Sequence, residues 1–149
     1  MQRSAQAIWR GDLKAGAGEL TTASRTLNHT PYSFVSRFEQ GQGTNPEELL
    51  AAAHAGCFTM AVSAGFTKAG FKPESLDTTC IITLDRKDGG FEITESHLEL
   101  KANVPGVTLE TFNQVVDEAK KGCPVSKLYH TNITLNARLE GAQMQTGRA

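Results

Sequence analysis

The chain has 149 residues, of which 39% are hydrophobic and 21% charged, and its net charge is −1. Its basic residues are scattered rather than clustered, which gives no electrostatic footprint for nucleic acid or an anionic membrane, and both partners are set aside. A domain of this size buries roughly 70% of its unfolded surface, so one domain over 1–149 is expected, with a core that needs neither disulfide nor metal. Met1 to Gly11 contains no apolar run and no stretch approaches the roughly 20 apolar residues of a membrane span, so a cytoplasmic protein is expected. In that compartment three cysteines read as reduced core residues or redox-active thiols.

In chain order, Ala5 to Trp9 and Gly18 to Thr22 read as two short strands joined by the turn-rich Gly11 to Gly16 segment. Leu27 to Pro31 turns the chain. Tyr32 to Glu39 alternates as a third strand, with Arg37 facing away from Phe34 and Phe38. Asn45 is a good N-cap, Pro46 suits the first helical position, and Glu48 stands where it can reach back to complete a capping box. The helix that follows extends to Ala69-Gly70, about 35 Å, with Gly56 and Gly65 as weak points. Its expected inward stripe is Leu49, Leu50, Ala53, Cys57, Met60, Ala61 and Ala64.

Thr78, Cys80, Ile82 and Leu84 then occupy one face of a strand whose two faces both read as substantially buried. Lys87 to Gly90 forms a hairpin turn, and the return strand changes phase between Ile93 and Leu98, which predicts a bulge near Ser96. Thr108 caps a second helix with the stripe Leu109, Phe112, Val115, Val116 and Ala119, ended by Gly122. Cys123-Pro124 restarts a short helix to Tyr129, Ile133 to Leu139 alternate as a last strand, and a mobile tail is expected from about Gly141. This order predicts an α+β domain. A long apolar helix in so small a chain has few elements to hide it, so a homodimer is expected.

Three side chains stand out for their chemistry. Cys57 lies on the long helix, and Cys123 begins a short one, where unpaired backbone N–H groups favour a thiolate. His54, three residues before Cys57, reads either as its hydrogen-bonded partner or as a satisfied core residue. Cys80 reads as a core residue. Buried free cysteine is common, so a core role stays open for the other two as well.

The segment GTNPEELLAAAHAGCFTMAVS, taken together with GCPVS, resembles the OsmC/Ohr family of organic hydroperoxide reductases, on the OsmC side. WRGDLKAGAGELTT, PYSFVSRFE, GFKPESLDTTCIITLD and VPGVTLETFNQVVDEAKKGCPVSKL extend the resemblance over nearly the whole chain. It implies antiparallel sheets around a long central helix, in an intertwined homodimer. It also implies a cysteine peroxidase without cofactor or metal, in which Cys57 attacks the hydroperoxide and Cys123 resolves the oxidised sulfur. Arg37 and Glu47 fall at the family's thiolate-activating positions, and the reductant implied is a lipoyl-bearing protein or dihydrolipoamide. The chain departs from the usual AAC in reading Ala55-Gly56-Cys57.

Ten residues of helix put Glu47 and Cys57 about 15 Å apart along the axis, so if both act, two subunits share the site. Phe34, Phe38, Phe58, Met60 and Phe66 are candidates for an apolar approach favouring fatty or aromatic hydroperoxides, beside their ordinary role in core packing. The alternatives are a metal-binding dimer, against which the absence of CxxC spacing speaks, and a small-molecule-binding dimer with inert buried cysteines.

Overall fold

The computed structural model describes residues 1–141, which fall into two compact units, Met1–Leu49 and a second beginning at Leu50. The expected mobile tail lies, from position 142 on, outside the described residues.

The first unit is a three-stranded antiparallel sheet in the order β1 (Ala5–Arg10), β2 (Ala17–Thr22), β3 (Thr30–Tyr32). The Asp12 carboxylate accepts from the backbone N–H groups of Lys14 and Ala15, closing the turn between β1 and β2. Trp9 and Tyr32 meet over Gly18, with ring centroids 5.5 Å apart. A Cβ on Gly18 would sit 2.4 Å from the Tyr32 ring, so the small residue is required there.

The third strand ends at Tyr32 and is followed by a short helix, α1 (Phe34–Phe38), instead of running to Glu39. Ser33 caps this turn. Its hydroxyl accepts from the Ser36 N–H while the Ser36 hydroxyl receives the Ser33 N–H, a reciprocal box that local polar groups build against the extended form. The spacing of Phe34 and Phe38 that reads as alternation is also one helical turn, and their centroids lie 4.9 Å apart. Arg37 accordingly lies with its guanidinium 5.1 Å from the Phe38 ring centroid, not away from it.

The long helix α2 (Pro46–Lys68) begins as predicted, with the Glu48 N–H donating to the Asn45 side chain at 2.8 Å. The second half of the expected box is replaced. The Glu48 carboxylate receives the Thr44 hydroxyl at 2.7 Å, and the Asn45 amide donates to the Ser36 carbonyl at 3.0 Å, so the cap is tied back to α1.

The second unit holds most of α2, then β4 (Ser75–Lys87), β5 (Gly90–Asn103), α3 (Leu109–Gly122), α4 (Pro124–Leu128) and β6 (Asn132–Leu139). β4 and β5 form the expected hairpin. Thr83 pairs with Glu95 but Leu84 with Ile93, which leaves Thr94 as the extra residue, two positions before Ser96. Ile81 on β4 is 48% exposed, so that strand buries one face better than the other. β6 joins β5 in parallel, not antiparallel, because the α3–α4 crossover carries the chain back before it pairs.

The inward face of α2 is His54, Phe58, Val62 and Phe66, each one turn from the next, and differs from the predicted stripe. Met60 is 76% exposed, while Cys57 and Ala61 sit half-buried at the edge of the core. The helix is apolar nearly all round, so periodicity does not select a face, and the two phenylalanines that bury the most area decide it. Phe58 and Phe66 are thus core residues, with no exposure in the chain.

Phe66 stacks on Phe112 of α3, and a Cβ on Gly65 would come within 2.7 Å of Val115, so glycine lets the two helices close. By length and composition alone α2 does reach the dimensions of a membrane span, contrary to the sequence expectation. The fully buried Phe58, Val62 and Phe66 show it used as a core helix.

Candidate active site

Cys57 and Cys123 reach the same place by different local routes. Cys57 follows His54 by three residues and precedes the buried Phe58, at the rim of the inward face of α2. Cys123 sits at the break between α3 and α4 and caps both, its N–H donating to the Ala119 carbonyl at 2.9 Å and its carbonyl receiving the Lys127 N–H at 3.1 Å. Pro124 forces the break, since the residue before proline is driven out of the helical region, and Cys123 adopts φ −57°, ψ 127°. The turn points its sulfur inward with no exposure.

Both thiols are free, and each acts on the ionisation of the other. Burial pushes the Cys57 thiol up, the neighbouring Cys123 pushes it further, and the Val125 N–H offsets only part of this. At Cys123 burial also acts upward. It is outweighed together by the Cys57 thiol, the N–H and hydroxyl of Ser126 and the Val125 N–H, so this thiol lies below its ordinary value. Cys123 makes no side-chain capping hydrogen bond to α4. The Cys57 thiol is thus held above its ordinary value and Cys123 below, the reverse of the order expected for an attacking Cys57. The cause is positional: Cys123 heads a helix with unpaired N–H groups, whereas Cys57 lies mid-helix where the backbone donors are spent.

His54 does not pair with Cys57. Its Nδ1 lies 2.6 Å from the Ser96 hydroxyl and its Nε2 2.8 Å from that of Ser126, so both ring nitrogens are occupied. Burial holds its pKa below the usual histidine value and keeps the ring neutral. Cys80 lies 3.3 Å from the Ser96 hydroxyl, and burial raises its thiol more than that contact lowers it. Tyr129 packs edge-on against His54 with centroids 5.1 Å apart and donates its hydroxyl to the Leu50 carbonyl at 2.8 Å. Its phenol is pushed up by burial and then by charge on Cys80, Cys123 and Cys57. A pocket of about 210 Å³ lies against Tyr129, walled by Leu50, Ile82, Ile93 and Leu128.

Sequence reasoning missed Ser96, Ser126 and Tyr129. Ser126 was findable, because it stands three residues after the capping Cys123, where an N3 side chain faces its cap. Ser96 carried a weaker signal as the polar member of the inward-facing series Ser96, Leu98, Leu100, Ala102.

Arg37 and Glu47 form a pair in the first unit. The Arg37 Nε donates to both Glu47 carboxylate oxygens at 3.2 Å and its Nη2 to Oε1 at 2.7 Å. The Arg37 side chain is 36% exposed and that of Glu47 12%. The four predicted residues are thus gathered two by two, sulfur with sulfur and cation with carboxylate. Among the described residues no three His, Cys, Asp or Glu side chains converge as a metal site.

Residues 39–138 match the family model described as OsmC-like protein. The chain is 47% identical over 140 residues to the peroxiredoxin OsmC of Escherichia coli (strain K12), spanning 94% of this chain and 98% of that protein. It is 34% identical over 100 residues to the organic hydroperoxide resistance protein of Xanthomonas axonopodis pv. citri, covering 66% and 68% of the two chains. The crystal structure of the organic hydroperoxide resistance protein OhrB of Bacillus subtilis superposes with a TM-score of 0.65 at 25% identity, over 92% of this chain and 98% of the other.

Proposed function

The chain belongs to the OsmC-like protein family, and from that premise we propose that it is a cysteine-based peroxidase that reduces organic hydroperoxides to alcohols. Relatives named as a peroxiredoxin and as organic hydroperoxide resistance proteins support the peroxidase role. The observation that carries the cysteine mechanism is that Cys57 and Cys123 are both free and share one core cluster, one half-buried at its edge and one buried in it.

In the proposed cycle the Cys57 thiolate attacks the outer peroxide oxygen. The O–O bond breaks, the alkoxide leaves and takes a proton to become the alcohol, and Cys57 is left as a sulfenic acid. The Cys123 thiolate attacks the Cys57 sulfur, hydroxide departs as water with one proton, and a Cys57–Cys123 disulfide forms. A dithiol then returns two electrons, and a lipoyl-bearing protein or dihydrolipoamide is the proposed donor. Cys123 is well prepared for its step, because its surroundings already favour the thiolate. Cys57 is not, and a cation is needed to stabilise its thiolate.

Arg37 is the proposed cation, held in direction by the fork to Glu47, a recognition lysine cannot reproduce. Glu47 and Cys57 stand ten residues apart on one helix, about 15 Å of rise, so the Arg37–Glu47 pair of one subunit serves Cys57 of another in a homodimer. Residues 1–149 are taken as one domain of a cytoplasmic protein, since α2 runs unbroken from the first unit into the second.

The test is thiol titration before and after one equivalent of cumene hydroperoxide. Loss of two thiols per chain with formation of a Cys57–Cys123 disulfide is expected. Retention of all three thiols would overturn the reading and leave a binding protein with inert cysteines.

A further inference from the structure

We propose that His54 and Ser126 are positioning residues for the Cys57–Cys123 disulfide: their hydrogen bond is the middle rung of a ladder that sets α4 against α2 with the two sulfurs opposed.

The ladder follows from the register of the two elements. Tyr129 donates its hydroxyl to the Leu50 carbonyl at 2.8 Å, and the His54 Nε2 lies 2.8 Å from the Ser126 hydroxyl. Along α2 these rungs stand at 50 and 54, and along α4 and its C-cap at 129 and 126, so the residues pair in opposite chain order. One further turn in the same register takes α2 from His54 to Cys57 and α4 from Ser126 back to its capping Cys123. Residues three or four apart share a helix face, and an N3 side chain faces its cap, so the third rung falls to the two sulfurs. Both cysteines belong to the same core cluster.

The middle rung lies next to the sulfurs and is made by two buried side chains. It holds whichever partner donates, so it is the same in either tautomer of His54. Ser96 of β5 takes the other ring nitrogen at 2.6 Å, and the Tyr129 ring packs edge-on with centroids 5.1 Å apart, so the imidazole is fixed from three sides. By contrast α4 has only five residues, too few to keep its place unaided, and Cys123 is its cap. Removing the rung leaves one buried polar group unpaired and loosens the end of α4 that carries the sulfur.

The two redox states feel that loosening unequally. Two cysteines can be bridged only when their Cα atoms lie within about 7 Å and their side chains converge. Drift of α4 therefore costs the disulfide directly, whereas two thiols that need not touch lose nothing by it.

The proposal rests on the disulfide of the peroxidase reading, but that bond can be titrated with no peroxide present. The experiment uses the full chain carrying Cys80→Ala, equilibrated in glutathione buffers, with the Cys57–Cys123 disulfide quantified by thiol labelling and mass spectrometry. The two thiols give two electrons and two protons to oxidised glutathione, which leaves as two molecules of glutathione. Ser126→Ala is expected to lower the equilibrium constant for disulfide formation about tenfold, a rise in reduction potential of about 30 mV. His54→Leu is expected to match it, and the double variant to add nothing further, because either change removes the same rung. His54→Gln, whose terminal amide reaches toward Ser126, is expected to restore most of the loss. Tyr129→Phe, which removes the rung farthest from the sulfurs, is expected to cost less. Loss of a hydroxyl donor to a thiolate would move the potential the other way, since it weakens the reduced form.

An unmoved or lowered potential in folded Ser126→Ala protein would overturn the proposal and reduce the rung to core packing; where one of the two single variants does not fold, the other decides. A chain that forms no Cys57–Cys123 disulfide at any glutathione ratio would remove this inference and the resolving step together. A disulfide that forms in glutathione and weakens with Ser126→Ala, yet never forms with cumene hydroperoxide, would leave the ladder standing and sink the peroxidase reading.

Discussion

Arg37 and Glu47 carry two full charges at the edge of solvent, whereas Cys57 and Cys123 belong to one apolar core cluster in which the second sulfur has no exposure at all. The first pair is inexpensive to maintain and, as an ion pair near water, is worth about 0–1 kcal/mol to the fold. Its three donor contacts are more than stability demands, and they fix a direction for the guanidinium. The second pair holds apolar surroundings that penalise the charge its chemistry requires. The first unit holds the charged pair and the second the two sulfurs.

The largest expected effects break the sulfur half. Cys57→Ser should reduce peroxide consumption to background. Cys123→Ser should allow one turnover and then stall with a sulfenic acid detectable by mass spectrometry; steady-state turnover in either variant would remove that half of the comparison. Breaking the charge half should cost less. Arg37→Met is expected to lower kcat/KM by about 100-fold and Arg37→Lys to recover little of it, because a point charge cannot be held by the fork. Glu47→Gln should lose about tenfold while shifting the urea midpoint only slightly. Equal losses in activity and stability would argue that the pair is structural.

Two glycines sharpen the same contrast at the level of helix packing. Gly65→Ala should destabilise by about 1–3 kcal/mol, because the methyl group has Val115 at 2.7 Å and nowhere to go. A methyl on Gly56 meets nothing within 4 Å, so in an isolated chain Gly56→Ala should stabilise α2 by up to about 1 kcal/mol. Destabilisation or loss of dimer at Gly56 in size-exclusion chromatography would mean that a second subunit lies against that face.

The smallest effect concerns acid. His54 has a folded pKa below its unfolded value, so between the two the unfolded chain binds the extra proton. Its contribution is fully present above about pH 6.5 and is lost as the pH falls from there toward the folded value, a slope in urea midpoints that His54→Gln should flatten.

Much of this was legible in the sequence because it depends on neighbours along the chain. The Asn45 cap, the hairpin at Lys87 to Gly90, the Thr108 cap and the Cys123-Pro124 break are all local, and all stand where the residues predict them. Phe34 to Phe38 failed because period two and period four coincide over so short a span, and a serine box decided between them. The inward face of α2 failed because small apolar residues surround the helix and bulk, not pattern, selects the side. The sulfur pair and the ion pair were legible through motif resemblance. The serines on either side of His54 were not, since Ser96 and Ser126 come from β5 and α4 and meet only in the folded chain.

The chain's single tryptophan lies in the first sheet, packed with Tyr32 over Gly18, while all three cysteines belong to the second unit. Tryptophan emission therefore reports on one unit and thiol reactivity on the other. Denaturant titrations followed by both signals would show, from whether the two midpoints coincide, if the halves melt together or one after the other.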